Sequence, residues 1–174
     1  MKRLFYLYAV LVSVMFFVGC EKMEVDNVKP IIKVFSPNED EIYKPGSEVY
    51  FEVEFSDNIS LSSYKVNIHG AFDGHSHNSG TITRGLDAGD ETAVFERTWL
   101  ESEFISLGDE PVVGKQVATI KHHHIKIPKT VIVNLNGEMK EMPLREGHYH
   151  FIVYCTDESG LESFSSREII ISSN

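Results

Sequence analysis

Between positions 49 and 55 the chain alternates without a break: Val49, Phe51, Val53 and Phe55 are apolar, and Tyr50, Glu52 and Glu54 lie between them. A period of two is the mark of a strand buried on one face; a helix, with about 3.6 residues per turn, would scatter these apolar groups around its surface. The pattern recurs at 63–69, where Tyr64, Val66 and Ile68 oppose Lys65, Asn67 and His69. It returns after Gly147, where Tyr149, Phe151, Val153 and Cys155 alternate with His148, His150, Ile152 and Tyr154. Short apolar strands at 31–35 and 167–172 open and close the series, with Ser36-Pro37-Asn38 and Lys44-Pro45-Gly46-Ser47 as turns. No segment reads as a convincing amphipathic helix. The expectation is an all-β chain, a sandwich or barrel. With 174 residues, 42% hydrophobic and 11% aromatic, the chain has enough apolar surface for one core.

Two connections are long for such a fold, residues 70–91 and 127–146. The second holds apolar-rich residues 131–135, then Asn136-Gly137, then 138–142, which predicts an extra hairpin on a type I′ turn. Phe95 and Trp99 lie on a further expected strand and read as core. Several pieces together resemble a bacterial immunoglobulin-like domain: Pro30 and Ser36-Pro37 near the first strand, Pro45-Gly46 before the second, residues 57–61 before the third, and Gly147-His148-Tyr149 with Thr156-Asp157-Glu158-Ser159-Gly160 around the sixth. That resemblance implies an immunoglobulin-like β-sandwich over 30–174 with long inserted loops, and it puts Tyr149 at a tyrosine corner.

The amino terminus points to the compartment. Lys2 and Arg3 precede an apolar run over 4–18, too short for a comfortable membrane span, and Gly19-Cys20 follows. Phe17-Val18-Gly19-Cys20 resembles the lipobox of bacterial lipoproteins, with Phe17 in place of the usual Leu. The resemblance implies a signal peptide over 1–19, cleavage before Cys20 and lipid attachment to that cysteine; an ordinary secreted protein or an uncleaved anchor are the alternatives. Residues 20–29 read as an acidic tether, and acidic residues after a lipidated cysteine resemble the signal that carries some Bacteroidota lipoproteins to the outer face of the outer membrane. The expected location is the cell envelope, surface-exposed or periplasmic. Without residues 1–19 the chain keeps 14 Lys and Arg against 26 Asp and Glu, a net charge of −12. Such a balance, without clustered basic residues, excludes a nucleic-acid partner. Cys155 would be left unpaired, and its strand parity predicts an inert buried thiol.

All eight histidines follow the tether: His69, His75 and His77; His122, His123 and His124; and His148 and His150. On a strand, His-x-His places both imidazoles on one face, about 7 Å apart. In the implied fold the third and sixth strands are antiparallel neighbours, so parity sends His69, His148 and His150 to the outward face of one sheet. The connection carrying Asp73, His75 and His77 begins at that edge. Apolar Ile125 and Ile127 would turn His123 inward and His122 and His124 outward, but Ile120 breaks that alternation, so whether these residues reach the site stays open. Imidazoles with an occasional carboxylate suit zinc or copper, and the candidate ligands are His69, Asp73, His75, His77, His122, His124, His148 and His150. Asp73 would serve as a ligand or as the acceptor that fixes one ring's tautomer.

Three function classes fit. The first is a membrane-anchored lipoprotein that binds a transition metal, as an accessory to an outer-membrane transporter or another envelope protein. The second is a non-catalytic adhesion or scaffold module that contacts glycan or an envelope protein through its loops. Third is a metalloenzyme, since His-x-His on a sandwich strand is similar to the copper site of copper/zinc superoxide dismutases, although the Gly-rich pattern of that family is missing. No nucleophile elbow, phosphate-cradling loop or HExxH helix is present. From about Lys29 to Ile171 the mature chain resembles an uncharacterised family of Bacteroidota lipoproteins with one immunoglobulin-like domain, a domain of unknown function. The pieces that carry this likeness are Phe72-Asp73-Gly74-His75-Ser76-His77, Ile125-Lys126-Ile127-Pro128 and Gly147-His148-Tyr149-His150.

Overall fold

A computed structural model of the chain describes residues 26–72 and 91–174. Its elements run β1 (Ile31–Ser36), β2 (Glu41–Tyr43), β3 (Glu48–Ser56), β4 (Leu61–Gly70), β5 (Glu96–Leu100), α1 (Glu101–Ser106), β6 (Val117–Lys126), β7 (Thr130–Leu135), β8 (Glu138–Pro143), β9 (Gly147–Asp157) and β10 (Glu162–Ile171). One sheet has the order β1-β3-β6, and the other has β2-β10-β9-β4-β5. All pairings within them are antiparallel except β2 on β10. This is an immunoglobulin-like β-sandwich: a sandwich is one of the two forms that the alternating strands predict, and the resemblance implies the immunoglobulin-like one. Between the sheets lie Val49, Phe51, Val53 and Phe55 from β3, Tyr64, Val66 and Ile68 from β4, and Tyr149, Phe151, Val153 and Cys155 from β9. Phe95 and Trp99 are buried in the same core. Each alternation supplies one apolar face, and apposing those faces is what removes them from water.

The expected hairpin is β7–β8, paired from Thr130↔Pro143 to Leu135↔Glu138. Asn136 (φ 55°) and Gly137 (φ 95°) both adopt the positive φ that a type I′ turn needs. The tyrosine corner is also formed: the Tyr149 hydroxyl donates to the Arg145 carbonyl at 2.7 Å. Its ring meets Phe72 edge-on at 5.3 Å, and the Arg145 guanidinium lies 4.1 Å from the Phe72 ring centre.

Two features differ from the sequence reading. A helix exists, α1, although none was expected. Its six residues are too few to display an amphipathic period, and tertiary contacts hold it. The Glu103 carboxylate accepts from the Leu100 N–H at 3.0 Å, Glu101 accepts from the Val112 N–H at 2.7 Å, and Phe104 stacks on Tyr64 at 5.8 Å. The second difference is the direction of the triple histidine. Opposite Val49 and Phe51 stand Ile125 and His122, so β6 spends two residues, His123 and His124, where β3 spends only Tyr50. This β-bulge resets the alternation. Ile120, His122, Ile125 and Ile127 therefore all face the core, and His123 turns outward onto Tyr50 at 4.9 Å.

Candidate functional site

The register of the five-stranded sheet aligns four residues side by side. His69 on β4 lies opposite His150 on β9; His150 in turn faces Glu168 on β10, and His69 faces Glu96 on β5. Directly opposed residues share a sheet face, so the result is an outward row, Glu168–His150–His69–Glu96, with two imidazoles between two carboxylates. The central pair is in contact: His150 Nδ1 stands 3.3 Å from His69 Nε2, and the rings are nearly perpendicular at 82°. His69 Nδ1 lies 2.5 Å from the Asn67 side-chain oxygen, which can only accept. That contact keeps the proton on Nδ1 and turns the lone pair of Nε2 toward His150.

His148 is on the same face, two residues along β9. Its Nδ1 meets Glu168 Oε1 at 2.6 Å, and with Asp40 these residues bring one donor atom each within 4.8 Å of one another. Asp40 is brought there by the turn before β2, whose N–H donates to the Glu168 carbonyl at 2.8 Å. His69 and His150 thus form one contact, and His148 forms another with Glu168 and Asp40. The connection after β4 leaves from this corner, since the Ala71 N–H donates to the His148 carbonyl at 2.9 Å. Asp73, His75 and His77 lie outside the described residues, as does Cys20.

His122 and His124 belong to the other sheet, away from this row. Their rings stack at 4.8 Å, and Nε2 of each is 3.5 Å from a different oxygen of Asp109, Oδ2 for His122 and Oδ1 for His124. His122 is wedged against Phe51 and Phe104, 6% exposed, and burial pushes its pKa down to about 4 against the opposing pull of Asp109. Among the described residues, the three-member groups with donor atoms this close are Asp40–His148–Glu168 and Asp26–Asp57–Asp157; His122, His124 and Asp109 do not form one. Of the β6 histidines, His122 is a core residue, and Asp109 lies beside its ring and that of half-buried His124.

Glu96, Glu168, Asp40 and Asn67 escaped the sequence reading. Glu96 and Glu168 could have been found by extending the strand register one neighbour further on each side. Asp40 could not, because its approach depends on the parallel β2–β10 pairing, which no local pattern announces.

Residues 18–172 match the family model described as a domain of unknown function, DUF4625. The chain belongs to that family. The match covers most of the sequence, in agreement with the expectation of a single uncharacterised domain, and it assigns the DUF4625 domain no activity. Among solved structures the chain is similar to Clostridium thermocellum CbhA fibronectin(III)-like modules at 13% identity and a TM-score of 0.21, over 82% of this chain and 94% of that one. The assignment of the DUF4625 domain as a sandwich rests on its own strand order and register. No curated protein matches the chain.

Proposed function

We propose that the protein is a lipid-tethered module of the cell envelope whose outward sheet face binds a transition metal, zinc or copper, in the service of an outer-membrane transporter or another envelope protein. The observation that carries this reading is the His69–His150 contact. Two nitrogens 3.3 Å apart match the spacing of neighbouring ligands on a tetrahedral ion with bonds of about 2.05 Å, which is roughly 3.3 Å. Asn67 favours the His69 tautomer with the proton on Nδ1 and a lone pair on Nε2, and Glu168 and Glu96 surround the pair with negative charge. Asp73, His75 and His77, on the connection that departs beside His148, are the further ligands of this proposal. Zinc and copper bind neutral imidazole, so protons compete with the metal and affinity falls in acid.

Melting curves of the metal-stripped full chain test the proposal. Zinc or copper at about a hundred times its dissociation constant raises the melting temperature by roughly 5–10 °C. His69→Ala with His150→Ala removes that gain and leaves the metal-free melting temperature nearly unchanged, while His124→Ala retains the gain. A melting temperature that ignores excess metal would refute the site.

A second reading, an adhesive or scaffold module, is favoured by a different feature of the same sheet. Phe164 is 63% exposed and lies 6.0 Å from Tyr154, whose ring carries Lys65 Nζ at 4.6 Å. An exposed Phe164 ring backed by half-buried Tyr154 offers an apolar face on which a sugar ring could stack. Glycan binding that Phe164→Ala abolishes, with no dependence on metal, would select this reading over the first.

A further inference from the structure

At the opposite end of β4 and β9 from the histidine row, three carboxylates converge from distant parts of the chain. Asp26 precedes β1, Asp57 follows β3, and Asp157 ends β9. One oxygen of each lies within 4.8 Å of the other two. Every one of them has Oδ1 held by donors: Val28 N–H and Asn58 Nδ2 on Asp26, both at 3.1 Å; Ile59 and Ser60 N–H on Asp57, at 2.8 and 2.7 Å; and Leu161 N–H on Asp157, at 2.8 Å. The Oδ2 of each is buried and accepts no hydrogen bond. Asp157 as a whole is only 2% exposed.

Three carboxylates this close repel one another, and a buried carboxylate oxygen that has lost its water without gaining a donor is costly. Among the described residues no Lys, Arg or His forms an ion pair with any of the three. A cation resolves both problems at once. We infer that Asp26, Asp57 and Asp157 form a binding site for a hard divalent cation, calcium, at the pole where the tether enters the sandwich. The donors are all oxygen, which disfavours the softer metals proposed for the histidine row. Three carboxylates, two on connecting segments and one at a strand end, suit calcium, which takes six to eight oxygens at about 2.4 Å in flexible geometry; magnesium demands a tight octahedron, keeps much of its water and rarely uses more than two carboxylates. Because Asp26 lies six residues after Cys20, the ion would tie the tether to the β3–β4 and β9–β10 turns and fix the direction in which the domain leaves its anchor.

The test uses the full chain stripped with a chelator, with calcium chloride as the probe. Calcium modules of extracellular proteins bind at about 10⁻⁴–10⁻³ M, so about 10 mM calcium should raise the melting temperature by roughly 3–10 °C. Asp157→Asn keeps the acceptor for the Leu161 N–H and loses the calcium shift. Should that variant fail to fold, Asp26→Asn carries the test: it lies outside the strands, retains the melting temperature seen in chelator, and weakens calcium binding about tenfold or more by calorimetry, as loss of one charged ligand does. His69→Ala with His150→Ala keeps the full calcium response, which separates this site from the histidine row. The inference is overturned by the absence of a calcium shift, by an equal shift in both Asp variants, or by an equal or larger shift with magnesium or zinc that the Asp variants remove.

Discussion

A histidine wedged between Phe51 and Phe104 resists protonation, and the consequence for His122 is a pH dependence of folding. Its pKa in the folded chain is about 4, against about 6.5 when the chain is unfolded. Between those values the unfolded state holds a proton that the folded state does not, so stability rises with pH through this window. The contribution is fully present above about pH 6.5 and is lost as pH falls toward 4, by up to about 3 kcal/mol. Denaturant unfolding at pH 7 and at pH 4.5 should show the loss, and His122→Gln should flatten it. An equally steep loss in the variant would assign the effect to other groups. Cys155 illustrates the same physics in a residue that was legible from strand parity: fully buried, its thiol is pushed up to about 12, chiefly by desolvation, which leaves it inert at neutral pH. The direction of His122 was not legible, because the phase break between Ile120 and Ile125 does not say which residues the bulge takes up.

At the scale of elements, the start of β9 is held by packing that tolerates no side chain at Gly147. The residue has φ of +135°, and a Cβ there would lie 2.6 Å from Phe72 Cε1. Phe72 cannot easily yield, because Tyr149 meets its edge and Arg145 covers its face. Gly147→Ala is therefore expected to cost about 2–4 kcal/mol through the disfavoured φ and overpacking together. A lowered denaturation midpoint with an unchanged slope is the measurement, and a midpoint within error of the parent would contradict the packing described. Elements defined by alternation, β3, β4 and β9, were readable from the chain, as was the β7–β8 hairpin from Asn136-Gly137. Elements defined by what surrounds them were not. Helix α1 exists because Glu101 and Glu103 satisfy backbone donors and Phe104 fills a gap between Tyr64 and His122, and a local window contains none of those partners.

Across the whole molecule the two proposed metal sites occupy opposite poles. The β4–β9 ladder runs from Leu61↔Asp157 to Gly70↔Tyr149, so the carboxylate cluster and the His69–His150 pair are separated by roughly eight residues of strand, about 26 Å. The tether enters at the carboxylate pole, which would hold the histidine row away from the membrane, toward whatever partner takes the metal. Half of this arrangement was legible: two alternations, with the strand pairing that the immunoglobulin-like resemblance implies, were enough to bring His69 beside His150. The other half needed the chain's long-range closure, since Asp26, Asp57 and Asp157 share no spacing that a sequence motif could express. The polarity has meaning only if the chain is anchored through its amino terminus, by lipid at Cys20 or by the apolar run before it. Among the described residues no helix is long and apolar enough to cross a membrane; the attachment proposed here is the lipid on Cys20. Each acyl methylene buried in a bilayer contributes about 0.8 kcal/mol, and two or more chains on one residue hold a protein stably at the surface. Cys20→Ala should then shift the protein from the membrane pellet to the soluble fraction without changing its melting temperature. Retention in the pellet with the apolar run at 4–18 still attached would instead make the uncleaved leader the anchor; the carboxylate pole would still face the membrane, but the lipid would play no part in holding it there.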